Sequence, residues 1–492
     1  IPVHPLAKVH IEQWIEEIFS LEAIDAEPLV ELIYRVTKGN PFFIIQLLQL
    51  LNQEKMIHFD LSTATWQINL TTLKEIPMTD SMIDFIMKQI NTLRAETKKL
   101  LQLAACIGSQ FSLKLLATIA GESYVITANQ LWNGLEEGVI LPLDSRYKWV
   151  YPNENEQLLD ENPPNYRFLH DKIQQAFYTS MSTEEREQSH LLIAEELISH
   201  LTTDEMEEHI FSIVNHLNLC QSRLTKGQQS DLIKWNRIAG EQAKRAAAFK
   251  SALTFYQNAF QLLSQDKWES DYQETYAVMV GYGESLYLNQ FFEEAEDVFE
   301  ETLLKTKTSQ EKLYIYNLKI TLYTHIHEVK QATNSGLDGL RLYGIEIKDN
   351  PNKALVAKEY LLTKLALANK REEDLLKLPA VKDEDRKLIM RTLINSNAPA
   401  YHFDQNLATI LMLRALRLIL KYGDMDLAAL VYNNYALTLS AGFSDYEGSY
   451  RFGSLAIRHV EQSGDNALQA RVYLVFGSFV NHWVKPIRYS LE

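Results

Sequence analysis

Cysteine is nearly absent. Cys106 and Cys220 are the two in 492 residues, too few for a disulfide framework or a metal knuckle, and their scarcity fits a reducing cytosol. Glycine (18) and proline (13) are also scarce, which excludes collagen-like and linker-rich chains. No uninterrupted apolar stretch reaches the roughly 18 residues that a membrane span needs. The nearest run, around Ile410–Leu420, is broken by Arg414 and Arg417, and no basic segment followed by an apolar one opens the chain as a signal peptide would. Basic residues are outnumbered, 48 Lys+Arg against 64 Asp+Glu for a net charge of −16, and this disfavours a general nucleic-acid binder. Finally, the sequence contains no G-x-x-x-x-G-K-[ST] loop, no G-x-G-x-x-G, no H-E-x-x-H and no C-x-x-C. It therefore supplies no phosphate loop, zinc-protease helix or redox pair of its own.

What is present is ordinary globular composition, 46% hydrophobic and 23% charged. At roughly 100–200 residues per domain the chain holds two to four of them. It begins Ile1-Pro2-Val3 and ends at Glu492 inside repeat-like sequence, so the expectation is an internal piece of a longer cytoplasmic protein.

Proline placement divides the chain. Nine prolines fall at or before Pro164 and the next is Pro351, leaving 165–350 free of them. Because proline breaks helix interiors, that stretch reads as continuous helix–turn–helix structure. Residues 1–85 read as helices over Lys8–Leu21, Glu27–Thr37 and Pro41–Leu51, the last apolar nearly all round and hence buried, followed by a hairpin within Met56–Leu70. Residues 86–185 read as three helices and a β-wing, a winged-helix pattern. The helices are Thr92–Ile107, one from a Ser112 cap to Ile119, and Thr127–Glu137. Strands at Val139–Leu143 and Tyr147–Tyr151 make the wing, and a helix over Tyr166–Met181 closes the module. The fold class is therefore mainly α, with helices and a hairpin over 1–85 (a helical lid in the resemblance given below), a winged helix with a small β-wing over 86–185 and, over 186–492, a tetratricopeptide-like α-solenoid.

The solenoid reading rests on repetition. Tetratricopeptide-like units place small residues and an aromatic at fixed offsets. Gly240, Ala252, Tyr256 and Ala259 satisfy the pattern, and Gly283, Ala295, Phe299 and Thr302 repeat it. Ala332, Gly336 and Gly339 mark a weaker unit, and Ala436, Gly448, Phe452 and Leu455 a divergent one. The small residues should let paired helices approach closely while Tyr256 and Phe299 fill the groove to the next pair.

Few residues suggest chemistry. His325 and His327 point to different sides of a helix, His209 and His216 share one, and all four read as structural. Glu293-Glu294 and Glu136-Glu137 read as solvated faces. Two motifs stand apart. In Thr37-Lys38-Gly39-Asn40-Pro41-Phe42-Phe43, glycine permits a tight turn and Pro41 opens a helix whose N-terminus could attract an anion, although a well-made helix start explains it equally. In Phe168-Leu169-His170-Asp171-Lys172, His170 could donate to a phosphate at a helix start, or simply cap it.

The order GNPFF (39–43), LAACIGSQF (103–111) and FLHDKIQQAFY (168–178), followed by an Ala-rich helical array, resembles the ATPase and repeat region of large bacterial signalling proteins. Those chains combine a Ser/Thr kinase, a STAND-type (AAA-like) ATPase, helical repeats and often a sensor histidine kinase. The resemblance implies that Gly39, Asn40 and Pro41 match a Gly-x-Pro lid motif whose proline packs on adenine. It implies likewise that His170 and Asp171 match a winged-helix pair whose histidine approaches the terminal phosphate of ADP. ATP or ADP with Mg would be the cofactor, held mostly by residues upstream of Ile1. Leu169 stands where the best-known version has Met, and Lys38 where a further Gly is frequent. The expected partners are proteins or neighbouring domains bound through the repeats, with a nucleotide-dependent oligomer. Two other readings remain: a pure interaction solenoid without a nucleotide role, and a winged-helix transcription regulator, which the charge and Glu136-Glu137 weigh against.

Overall fold

The computed structural model describes residues 5–20, 23–53, 55–60, 63, 65–68, 90, 93–150, 163–199, 203–486 and 488. They are mainly α-helical and form two compact units, Ile1–Lys226 and Gly227–Glu492.

The first unit begins with α1 (Lys8–Phe19), α2 (Ala23–Thr37) and α3 (Pro41–Gln53). Ile11, Ile15, Leu29, Ile33, Ile44 and Leu51 bury one another in a small core. A hairpin of β1 (Ile57–Asp60) and β2 (Thr65–Ile68) closes it, with Ile57 opposite Ile68 and Trp66 edge-on to Phe19 at 5.0 Å. The sequence anticipates this hairpin. It reads α3 as wholly buried, whereas Ile45 is 45% exposed. The helix is apolar on more than one side because it serves two cores. Ile44, Leu47 and Leu51 enter the first, and Phe43 packs against the second.

The second core belongs to α4 (Ala95–Ile107), β3 (Gln110–Ser112), α5 (Leu113–Ala120), α6 (Tyr124–Glu136), β4 (Ile140–Pro142), β5 (Asn165–Phe168) and α7 (Asp171–Thr179). Ser112 Oγ accepts from Leu115 N at 3.1 Å and Gly121 ends α5 at φ +70°, the start and stop the sequence specifies. The third helix starts earlier than expected because Ser123 caps it, accepting from Ile126 N.

The strands correct the sequence reading. Residues 145–150 form a 3-10 turn, not a strand: the Asp144 carboxylate accepts from Arg146 N at 2.9 Å and pairs with its side chain, which bends the chain out of the sheet. The partner of β4 is β5, placed in sequence inside the last helix. It runs antiparallel between β3 and β4, with Arg167 opposite both Gln110 and Leu141. Buried Tyr166 and Phe168 flank exposed Arg167, the two-residue period of a strand. The expected start at Thr92, the 85/86 boundary and the loop beyond Tyr151 lie outside the described residues. After α7 the chain continues into α8 (Thr183–Ser199) and α9 (Thr203–Asn218).

The second unit is built from helix hairpins: α10 (Lys226–Arg245) with α11 (Phe249–Leu262), α12 (Tyr272–Leu288) with α13 (Phe292–Lys305), and α14 (Ser309–His325) with α15 (Val329–Arg341). The first helix of each ends alike. Ala247, Gln290 and His327 are left-handed (φ +56°, +69° and +64°). The next residue's N–H returns to the carbonyl five residues back, Ala248 to Ala243 at 2.9 Å, Phe291 to Leu286 at 3.0 Å and Glu328 to Tyr323 at 2.8 Å. This is a Schellman turn made three times. In each case it falls five residues before the small residue of the motif, Ala252, Ala295 or Ala332. All three alanines are fully buried. Tyr256 lies against both Gly240 and Gly281, and Phe299 against Gly283.

Beyond Arg341 the series is interrupted by α16 (Lys353–Leu367) and resumes with α17 (Glu384–Tyr401), α18 (Gln405–Tyr422), α19 (Ala428–Phe443), α20 (Tyr446–Glu461) and α21 (Asn466–Val475). α16 is fastened to α18 through buried Glu359, which takes Arg414 at 2.9 Å and Arg417. Arg417 Nη1 also donates to the Glu359 carbonyl at 3.0 Å and to Thr363 Oγ1 at 2.9 Å. These are the two arginines that interrupt the longest apolar run.

Two substitutions test this register in opposite directions. Ala295→Phe overfills a closed contact and should lower unfolding free energy by about 1–3 kcal/mol in thermal or denaturant melts. Gln290→Gly relieves a left-handed non-glycine residue and should raise it by about 0.5–1 kcal/mol. An unchanged melt for the first would mean that the repeat register is misplaced.

Candidate functional site

The loop between α2 and α3 is a tight reversal. Thr37 Oγ1 donates to Ile33 O at 2.7 Å and accepts from Gly39 N at 3.3 Å. Lys38 and Gly39 both take positive φ, +51° and +80°, so a glycine would fit position 38 with less strain than the lysine found there. The Gly39 carbonyl accepts from Leu6 N at 2.8 Å, and a methyl group at Gly39 would stand 2.1 Å from the Leu6 oxygen. Asn40 N donates to Thr37 O, and the Asn40 carbonyl accepts from Ile44 N, each at 3.0 Å. Pro41 then opens α3 on an exposed surface, at the position where a missing N–H costs nothing.

His170 sits at the start of α7 in extended conformation and caps it. Its Nδ1 accepts from Lys172 N at 3.1 Å. In the neutral ring this hydrogen bond places the proton on Nε2, which makes that nitrogen the donor. Asp171 is the first residue of the helix, exposed beside the positive end of its dipole. The two motifs, about 130 residues apart in sequence, meet in space. The Phe43 ring, two residues beyond Pro41, lies 5.0 Å from the His170 ring at 44°. The N-terminal turns of α3 and α7 are thus joined through an aromatic pair.

α7 is held firmly behind this contact. Ile173 and Phe177 are buried, and Gln174 Nε2 donates to Ala105 O at 3.0 Å. At its far end Tyr178 OH bonds His190 Nε2 at 3.0 Å, and His190 Nδ1 bonds His216 Nδ1 at 2.9 Å. A hydroxyl donating to His190 Nε2 leaves the His190 proton on Nδ1, from which it is donated to His216. The guanidinium of Arg186 lies over the Tyr178 ring at 5.2 Å. Burial pushes the His190 imidazole down to about 4, with a further contribution from Arg186, and burial together with His190 pushes His216 down to about 4. Both rings are therefore neutral at physiological pH. His190 drew no attention in the sequence, although it shares a helix face with buried Ile193 and Ala194. Of the four histidines read as structural, His216 is buried in this pair and His325 bonds Tyr287 at 2.8 Å.

Burial raises both cysteine thiols to about 11, so neither is a thiolate. Among the described residues no group of three or more His, Cys, Asp or Glu could hold a metal ion, and no helix is long and apolar enough to cross a membrane.

No family model matches the chain. It is 22% identical over 521 residues to the hybrid signal transduction histidine kinase G of Dictyostelium discoideum, an alignment covering 92% of this chain and 15% of that protein. It is 22% identical over 335 residues to a peroxide stress-activated histidine kinase of Schizosaccharomyces pombe, covering 64% of this chain and 13% of the relative. The chain thus spans less than a sixth of the curated relatives it matches. Among solved structures it is similar to a Signal Transduction ATPase with Numerous Domains (STAND) protein with a tetratricopeptide repeat sensor from Pyrococcus horikoshii. That match has a TM-score of 0.33 and 13% identity, and covers 99% of this chain and 64% of that one.

Gly39→Ala should destabilise the first unit by about 1–3 kcal/mol, since it combines a strained φ with a backbone clash; calorimetric unfolding measures this. The histidine pair sets a pH dependence. Folded pKa values below the ordinary value of 6.5 mean that the unfolded chain binds more protons, so the stabilisation is complete above about pH 6.5 and declines as pH falls toward 4. Melting temperatures between pH 7 and pH 5 should fall more for wild type than for a His190→Gln/His216→Gln variant. Parallel curves would refute the assignment.

Proposed function

We propose that this chain is part of a signalling protein in which α3 and α7 report the state of a bound nucleotide, ATP or ADP, and the hairpin array presents a platform for protein partners. The observation that carries this reading is the Phe43–His170 contact, which couples the turn holding Gly39, Asn40 and Pro41 to the cap holding His170 and Asp171. In this proposal the 86–185 module is a winged helix, supported among its described residues by the helices α4, α5 and α6, the three-stranded antiparallel sheet and the closing helix α7.

The residues suit such a group. Pro41 is exposed beside a left-handed turn, and the hydrogen bond at Nδ1 makes His170 Nε2 a donor. Pro41 would pack on the base, and the His170 Nε2–H would donate to a phosphate oxygen near the dipole of α7. When bound, the nucleotide supplies a terminal phosphate whose presence or absence gives the two states different contacts. Magnesium and most of the phosphate contacts would come from residues outside this sequence, which has no phosphate loop. Both curated relatives are histidine kinases by name, which supports a role in signal transduction. A Ser/Thr kinase or histidine kinase attached to this segment, a cytoplasmic location and a nucleotide-dependent oligomer belong to the same proposal.

His170→Ala, made in the longer protein, should release labelled ADP faster than wild type in a stopped-flow chase. His170→Gln, which retains a donor, should fall between them. Identical dissociation rates for all three would sink the nucleotide-sensing role.

A further inference from the structure

α16 carries two lengthwise seams. The inner one is Val356, Tyr360, Thr363 and Leu367, spaced four, three and four residues apart, and it faces the core. Tyr360 stacks on Phe443 of α19 at 3.7 Å, and Thr363 Oγ1 accepts from Arg417 of α18 at 2.9 Å. The outer one is Ala354, Lys358, Leu361, Leu365 and Ala368, spaced four, three, four and three, and all five are exposed. Leu361 is 60% exposed and Leu365 73%. Scattered exposed leucines are ordinary, but two on consecutive turns of one seam form a stripe. Alternation of three and four is the period along which one α-helix meets another, and it differs from the two-residue period of an extended strand. The seam therefore fits a helical occupant.

The charge on the seam says which helix. Glu359, the one carboxylate in α16, is buried and held by Arg414 and Arg417. The charges that α16 exposes are Lys353, Lys358 and Lys364. Lys364 lies over the Tyr360 ring at 5.1 Å. Lys358 stands on the seam itself and, among the described residues, is paired with no carboxylate. A second α16 laid along the first would bring lysines and no carboxylate to meet it. An anionic bilayer would face a chain of net charge −16. A helix with a carboxylate opposite Lys358 satisfies seam and charge together, because one polar seam position selects register and partner.

We propose that the outer seam of α16 docks an amphipathic helix of a partner protein, its apolar residues against Leu361 and Leu365 and a carboxylate against Lys358. The proposal rests on the reading of the array as an interaction platform and adds the place and chemistry of one contact.

The test titrates the full chain into fluorescein-labelled synthetic helices of about three heptads, read by fluorescence anisotropy. One peptide has leucines at three–four spacing flanked by glutamates, a second replaces the glutamates with lysines, and a third scrambles the first. The glutamate peptide should bind and the scrambled one should not. Leu361→Ser and Leu365→Ser should each weaken binding about tenfold. Lys358→Glu should weaken the glutamate peptide about two- to fivefold and turn the preference toward the lysine peptide. Leu474→Ser, at a leucine 67% exposed on α21, should leave affinity unchanged, and melting temperatures confirm that each variant is folded. Equal binding of the glutamate and lysine peptides would overturn the charge assignment. Self-association of the chain by light scattering, or capture by phosphatidylserine vesicles, either one lost in Leu361→Ser, would give the seam to a second copy or a bilayer and overturn the proposal. Binding that ignores all three seam variants would overturn the seam yet leave the platform reading standing, and binding of no peptide would count against both.

Discussion

Tyr256 lies across Gly240 of its own hairpin and Gly281 of the next, so closely that a Cβ at Gly281 would stand 2.1 Å from the ring. This packing lets one aromatic side chain serve two interfaces, and it exists because two helices leave out a side chain at that height. Phe299 likewise covers Gly283 of its own hairpin, and further along the space left at Gly336 is taken by the Ser396 side chain. Each hairpin then buries its apolar faces against its neighbours, so the array builds stability by nearest-neighbour contact. The repeated Schellman turns fix where each second helix starts, and therefore which residue faces the aromatic. Removal of the small residues would leave the same helices with nowhere to put their rings.

The first unit solves a different problem. Its modules are too small to enclose large cores, so they share elements. α3 contributes Ile44 and Leu51 to one cluster and Phe43 to another, and α7 carries the His170 cap at one end and Tyr178 at the other. The chain Tyr178–His190–His216 is the polar counterpart of this sharing. Three side chains from α7, α8 and α9 satisfy one another where unpaired polar groups would be costly. A perturbation at either end of α7 thus meets a packed helix rather than a loop.

Local signals in the sequence were reliable where one residue determines one backbone choice. Ser112 and Gly121 bound α5, Pro41 opens α3, and the alanines at 252, 295 and 332 mark hairpins whose turns precede them at constant distance. The small sheet was not legible in the same way. Its strands are three or four residues long, and β5 became a strand only because β3 and β4 lie on either side of it. Asp144 and Arg146 turned an apparent strand into a 3-10 segment through a contact two residues apart, a competition that β-propensity does not register.

The sequence by itself determined the mainly helical class, the lack of a cysteine framework and of a long uninterrupted apolar run, the small residues that mark the hairpins, and the two motifs around Pro41 and His170. These follow from backbone preferences and side-chain spacing, which act over a few residues. Only the tertiary structure decided that Phe43 reaches His170, that His190 pairs with His216, and that Arg414 and Arg417 serve a buried glutamate. Those contacts join residues from 26 positions apart (His190 and His216) to 127 (Phe43 and His170). They are set by how helices stack once their apolar faces are buried, and local propensity carries no information about that.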